Sequence, residues 1–279
     1  MSRPAGQVMR EGSARLAEAG TASPMAEART LLSHVLHREP RDLVLATVDD
    51  DQAAAFSALL DSRVAGIPVQ HLTGEAWFRT VRLEVGPGVF VPRPETEVMV
   101  GWGLQRIAAV EAPVVVELCA GSGAISRAIA AEHPGARQFA IELDPAAHQW
   151  ASRNLADTDV QLVLGDMADA FPELDGGVDL VIANPPYIPL EAWESVAPDV
   201  RDHDPALALW SGDDGLDATR VVAAVARRLL RPGGWVCSEH AEVQEHSAPE
   251  VFVREGDFDQ VRDQPDLAGR PRFVTARRR

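Results

Sequence analysis

Basic side chains are scarce in this chain, with 26 Lys and Arg against 42 Asp and Glu and a formal net charge of −16. A protein that grips duplex nucleic acid neutralises several phosphates with a concentrated basic surface, so stable nucleic-acid binding is not expected. The terminal cluster Arg277-Arg278-Arg279 reads as a solvated tail. An acidic surface instead suits a basic segment on a protein partner. Cysteine is equally sparse. Cys119 and Cys237 sit in strand-like apolar stretches, a pattern of buried thiols and not of a disulfide or metal site. No apolar run is long enough to span a bilayer, and the N-terminus lacks a basic-plus-apolar secretion signal. The expectation is a cytoplasmic monomer with no membrane contact. His203 has no metal-ligand spacing around it, and no carboxylate pair or Ser/His/Asp set stands out, which argues against zinc chemistry and hydrolysis.

What is present is enough apolar material for a substantial core, 46% of 279 residues, with no internal repeat. The first part reads as helical. Ser23 can cap a helix with Pro24 in its first turn and Leu31, Leu32, Val35 and Leu36 along one face. A second helix over 53–64 carries Phe56, Leu59, Leu60 and Val64. Residues 77–90 alternate as a short hairpin, with Gly86-Pro87-Gly88 at its turn or edge. The pattern then changes. Strands are expected over 114–118, 137–141, 160–164, 180–183, 234–238, 258–262 and 272–276, with helices over 124–132, 145–154, 216–230 and 243–254 and one starting near Thr96. Such alternation gives a mostly parallel sheet covered on both faces. The short connection between the last two strands makes them an antiparallel closing pair. The domains expected are a helical one over 1–75, a hairpin and linker over 76–94, and an α/β domain over 95–279.

Four features of that α/β part carry chemistry. The first is strand, tight loop, helix around Glu117-Leu118-Cys119-Ala120-Gly121-Ser122-Gly123, whose glycines let backbone approach a ligand. The fuller G-x-G-x-x-G is absent because residue 126 is Ser, which disfavours a nicotinamide cofactor. The second is Glu142, placed to accept from both hydroxyls of a ribose. The third is Asp166, placed to accept an adenine amino group. Each acid has a plain alternative as an ordinary strand-end residue. The fourth is Asn184-Pro185-Pro186-Tyr187 after an apolar strand. Here the amide oxygen of Asn184 can take one N–H of a planar nitrogen while a proline-fixed carbonyl takes the other. That loop suits an amide or exocyclic base amine and serves a charged lysine poorly; the plain alternative is a rigid turn closing a strand. The order of the four points to S-adenosylmethionine as cofactor.

The chain resembles the protein N5-glutamine methyltransferases that modify peptide-chain release factors. The matching stretches begin with Gln70-His71-Leu72-Thr73-Gly74-Glu75, Phe78 and Pro87-Gly88-Val89-Phe90-Val91-Pro92-Arg93-Pro94-Glu95-Thr96-Glu97. They continue through the glycine loop, Asn184-Pro185-Pro186-Tyr187-Ile188-Pro189, Val200-Arg201-Asp202, Arg231-Pro232-Gly233-Gly234-Trp235 and Asp266-Leu267-Ala268-Gly269-Arg270. The resemblance implies an S-adenosylmethionine-dependent methyltransferase fold: a mostly parallel seven-stranded sheet, last strand antiparallel, behind an N-terminal helical domain that helps bind the release factor. It implies that Glu117, Cys119, Gly121, Gly123, Glu142, Asp166 and Asn184 hold the cofactor. Arg93, Glu95, Thr96, Asn184, Pro185, Pro186 and Tyr187 would meet the substrate, with Asn184, Pro185 and Tyr187 catalytic.

This sequence departs from the family where an aromatic-glycine pair usually follows Phe78, since it has Arg79-Thr80, and where glutamate, isoleucine, glycine usually follow the fifth strand, since it reads Ser238-Glu239-His240. Cys119-Ala120 replaces a common glycine-threonine pair, and Ala140 a common glycine. None of these removes a group the reaction needs. Three other readings stay open: N6-adenine methylation of DNA or RNA, whose flipped base fits the same loop; methylation of a small-molecule amine; and a methyltransferase-like protein that binds without transfer. The unpatterned segment 188–214 after the catalytic loop reads as a substrate-side cover, with Trp193 and Trp210 capping the core.

Overall fold

A computed structural model describes residues 2–195, 201 and 204–279. His203 and the motif residues Val200 and Asp202 lie outside them. The chain divides into two compact units, one within residues 2–75 and the other within 76–195 and 204–279.

The first unit packs helices α1 (Ala5–Glu18), α2 (Pro24–Leu36), α3 (Asp50–Val64) and α4 (Val69–Thr73) around Leu16, Leu31, Leu32, Phe56 and Leu60. Each fully buried leucine contributes about 2 kcal/mol of transfer free energy. Helix α1 was not anticipated from the pattern. Ser23 precedes α2 as expected, yet its side chain makes no cap hydrogen bond. The cap belongs to α3: Asp49 Oδ1 accepts from the Gln52 N–H at 2.8 Å, and Gln52 Oε1 accepts from the Asp49 N–H at 3.0 Å.

The second unit opens with a hairpin of strands β1 (Glu75–Phe78) and β2 (Val81–Glu84). Its turn is Arg79-Thr80, not the glycines at 86–88. Arg79 adopts a left-handed backbone (φ 52°), held by its N–H to Glu97 Oε1 at 2.9 Å and by two guanidinium bonds of 2.6 Å to Glu132. Gly86 serves packing instead, since a Cβ there would sit 2.7 Å from the Trp150 ring. The departure at 79–80 is therefore satisfied inside this unit.

Helix α5 (Pro94–Ile107) leads into the sheet, whose strands in chain order are β3 (Val114–Leu118), β4 (Arg137–Glu142), β5 (Gln161–Leu164), β6 (Val178–Ala183), β7 (Leu230–Glu239), β8 (Phe258–Pro265) and β9 (Pro271–Arg278). In space they run β8-β9-β7-β6-β3-β4-β5. The pairs β3–β4, β4–β5, β3–β6 and β6–β7 are parallel, and the last strand β9 is antiparallel to both neighbours. Helices α6 (Ala124–Glu132) and α7 (Pro145–Asn154) follow β3 and β4; α8 (Ala206–Leu209), α9 (Asp217–Leu229) and α10 (Ser247–Glu255) follow later. Two buried clusters line the opposite sheet faces, one built on Val116, Val181 and Val236 and the other on Val115, Leu180 and Cys237.

Three expectations change here. The helix expected over 243–254 is a short turn at Glu242–Gln244 followed by α10, because Gln244 turns inward to hydrogen-bond the chain after β6. The terminal arginines are not a solvated tail. Arg277 pairs with Trp235 and Asp259 inside β9, and Arg278 donates to the carbonyls of Arg227 and Asp257 at 3.1 Å. Cys237 is buried as expected, whereas Cys119 is half-buried in a loop with φ 64°. Among the described residues no helix is long and apolar enough to cross a membrane.

Candidate active site

The sheet order brings the chemistry together. Strands β3 and β6 are neighbours although far apart in sequence, with Leu118 opposite Ala183, so the glycine loop and Asn184 leave the same sheet edge side by side. Strand order reverses at that point, where open α/β sheets bind ligands beyond the carboxyl ends of their strands. Ile141 lies opposite Leu118 and Ser238 opposite Ala183, which sets Glu142 and Glu239 on either side.

On one side stands the glycine loop. Gly121 (φ 55°) has open space where a Cβ would project, and Gly123 (φ 78°) starts α6 with Leu155 3.2 Å from its absent Cβ. The Gly121 N–H donates to Glu142 Oε2 at 2.6 Å and the Asp144 N–H to Oε1 at 2.8 Å. Burial raises the Glu142 carboxyl above the ordinary range, and these backbone donors offset only part of that rise. Glu117 points into the interior: it is 1% exposed, and its Oε2 accepts from the Ser126 N–H at 2.9 Å and from the Ser126 hydroxyl. Burial pushes it up to about 8. The serine that breaks the dinucleotide fingerprint is thus the residue that satisfies this acid. Asp166 is exposed and uses Oδ1 to accept from the Ala168 N–H at 2.9 Å. Cys119 lies beside Met167, Sγ to Sδ 3.5 Å. Open backbone at Gly121 beside a carboxylate suits S-adenosylmethionine, whose adenosine needs close backbone approach and a ribose acceptor.

On the other side, Asn184 is half-buried and Pro185 buried. Asn184 Nδ2 donates to Thr96 Oγ1 at 3.2 Å, and the Thr96 hydroxyl donates to Glu239 Oε2 at 2.6 Å. The Tyr187 hydroxyl donates to Glu239 Oε1 at 3.2 Å. Glu239 is 2% exposed; burial pushes it up to about 7, against the hydroxyl donors and the charge of Arg272. Burial and Glu239 together raise the Tyr187 phenol, which stays protonated. Behind the loop, Gln244 Nε2 donates to the Tyr187 carbonyl at 3.0 Å. Gly215 leaves room there, since a Cβ would lie 2.4 Å from that carbonyl oxygen.

Of the entrance residues, Arg93 pairs with buried Asp204 at 2.9 Å and lies over the Phe90 ring, and Glu95 is 3.6 Å from Arg270. His240 is fully buried, with Nδ1 2.9 Å from the Ala241 carbonyl oxygen and Nε2 2.9 Å from Asp263 Oδ1. Trp193 is half exposed and stacks on Trp210 at 5.2 Å. Sequence reasoning missed the roles of Gln244, Ser126 and Asp204. The signal for Glu239 was its position: a carboxylate ending β7 parallels Glu142 ending β4.

A family model described as the PrmC N-terminal domain matches residues 7–74, and a methyltransferase-domain model matches residues 115–203. The release factor glutamine methyltransferase of Streptomyces coelicolor is 50% identical over 266 residues, 95% of this chain and 94% of that protein. The chain belongs to the release factor glutamine methyltransferase family. A further relative, the 4-amino-L-phenylalanine/4-methylamino-L-phenylalanine methyltransferase of Streptomyces pristinaespiralis, is 39% identical, over 93% of this chain and 90% of that protein. Among solved structures, the hMettl16 catalytic domain in complex with the MAT2A 3'UTR hairpin 6 aligns with a TM-score of 0.55 at 14% identity, covering 70% of this chain and 75% of that one. That likeness speaks to the fold alone. The fold of this release factor glutamine methyltransferase family member is that of S-adenosylmethionine-dependent methyltransferases, and S-adenosylmethionine is its cofactor.

Proposed function

We propose that the protein transfers a methyl group from S-adenosylmethionine to the side-chain amide nitrogen of a glutamine in a peptide-chain release factor. The observation that carries this reading is the 50% identity to a release factor glutamine methyltransferase along nearly the full length of both chains. A family model matches most of the first unit, and another covers strands β3 to β6 of the sheet. Gly121, Gly123, Glu142 and Asp166 hold the cofactor, with Glu117 and Cys119 backing the loop. When bound, the cofactor supplies an electrophilic sulfonium methyl.

The chain's own residues present the nitrogen. Asn184 accepts one amide hydrogen through Oδ1, and the Pro185 carbonyl accepts the other, which fixes the amide plane so that the nitrogen lone pair perpendicular to it faces the methyl donor. Tyr187 covers that plane and excludes water, while Arg93 and Glu95 lie at the entrance; Thr96, expected there too, is buried behind Asn184 instead. No strong base is needed before attack, because the nitrogen becomes acidic as it bonds to carbon and sheds its proton afterwards. Placement and fixed dipoles are the main catalytic contributions. The helical unit over 1–75 contributes to release-factor binding, and the protein acts as a cytoplasmic monomer without stable nucleic-acid binding.

A small aromatic amine is the second reading, favoured by the full-length likeness to the 4-amino-L-phenylalanine enzyme. Labelled S-adenosylmethionine offered with release factors, 4-amino-L-phenylalanine, an adenine-containing duplex and a control protein separates the cases. Mass mapping to one release-factor glutamine supports the proposal. Label on the free amine or the duplex alone rejects it.

A further inference from the structure

We propose that Thr96 and Glu239 are positioning residues that fix which way the Asn184 amide faces, through a one-way chain of hydrogen bonds ending on the Glu239 carboxylate. The inference rests on the reading of Asn184 as the residue that holds the acceptor nitrogen. Its starting point is donor arithmetic. Above about pH 7 the Glu239 carboxylate is ionised and only accepts, and a threonine hydroxyl has one hydrogen to give. With Thr96 Oγ1 2.6 Å from Glu239 Oε2, that hydrogen lies between them, and only lone pairs of Thr96 remain for Asn184. The Asn184 group 3.2 Å away must then be its NH2.

An asparagine amide looks nearly the same in either orientation, and its assignment depends on such neighbours. Reversing this one would set two acceptors against each other in a site where Thr96 is 3% and Glu239 2% exposed, with no bulk water to relieve them. The chain therefore leaves Oδ1, the acceptor the reaction needs, directed away from Thr96. It also polarises that oxygen, since each donor in a hydrogen-bonded chain strengthens the next acceptor. The second hydroxyl on Glu239, from Tyr187, ties the same carboxylate to the loop that carries Asn184. Neither Thr96 nor Glu239 has to touch the substrate for this.

The test compares Asn184→Ala, Thr96→Val and Thr96→Ser in the full chain, measuring kcat, KM for the acceptor and cofactor affinity. Valine keeps the shape of threonine and removes the hydroxyl; serine restores it. We expect Thr96→Val to lower kcat by about tenfold to a hundredfold, as misplacement of a reacting group does, with KM and cofactor affinity little changed. Thr96→Ser should recover most of the rate. An active Asn184→Ala overturns the underlying reading and the inference with it. An inactive Asn184→Ala beside a fully active Thr96→Val overturns the inference alone. Should Thr96→Val fail to fold, hydrogen exchange on the parent protein decides. Site-labelled Asn184 should show one side-chain amide proton exchanging far more slowly than its twin, and equal exchange at the rate of a free amide rejects the chain.

Discussion

The backbone N–H of Gly121 donates to the carboxylate of Glu142 at 2.6 Å, so the cofactor loop and the acid that faces it form one unit. Under the proposed function Glu142 would serve two ends: it accepts from the loop, and its remaining lone pairs would face a ribose. Glu142→Ala removes both. Its loss should weaken S-adenosylmethionine binding by about 1.5–3 kcal/mol, roughly tenfold to a hundredfold. Glu142→Gln, which keeps one acceptor oxygen, should lose less. Titration calorimetry on folded protein checks this, and unchanged affinity in Glu142→Ala would end the ribose assignment.

Asn184→Ala should cut the transfer rate by on the order of a hundredfold or more, comparable to loss of a fixed dipole at a reacting centre. Cofactor affinity should change far less, because the loop contacts described above lie on the other side of the sheet edge. Single-turnover rates beside calorimetry give the comparison. Equal losses in both would mean that Asn184 acts on the cofactor.

The rate should fall as pH drops through about 7, where Glu239 takes a proton. Protonated, it can donate to Thr96 and allow the Asn184 amide to reverse. Burial raises this group, Thr96, Tyr187 and Arg272 lower it, and the charge of Glu95 raises it. The profile should therefore rise from pH 6 to 8 and level off above. A flat profile over that range removes Glu239 ionisation from the mechanism.

Stability should respond in the opposite sense at Glu117. Its folded-state carboxyl is pushed up to about 8 from an ordinary 4.5, so the fold binds a proton that the unfolded chain has already lost. The favourable contribution is complete below about pH 4.5 and is lost as pH rises towards 8. Glu117→Gln keeps an acceptor for Ser126 and cannot ionise. Its Tm should gain on that of the parent between pH 5 and 8, by roughly 2 °C for each kcal/mol recovered. A constant difference across those pH values would contradict the buried-acid account.

Removing residues 277–279 should lower Tm, because it strips the end of β9 from both of its partners. Differential scanning calorimetry shows it directly. Full retention of Tm would mean that these pairings contribute nothing.

Local pattern determined much of this protein. Helices α6 and α7 begin and end where the sequence places them, because Gly123 and Asp144-Pro145 punctuate their starts and apolar spacing carries them. The loops with Gly121 and Asn184, and the acid at 142, were legible for the same reason: glycine, proline and strand-end carboxylates act within a few residues. Partnership across the sheet was not legible. Thr96 meets Glu239 across 143 positions of sequence, and Gln244 reaches Tyr187 across 57. A buried polar side chain takes whichever donor the packing delivers, and that depends on strand order rather than on neighbours in the chain. The turn at Arg79 shows the same limit. Nothing local favours a left-handed arginine over the nearby glycines, and Glu97 and Glu132, brought in by α5 and α6, hold it there.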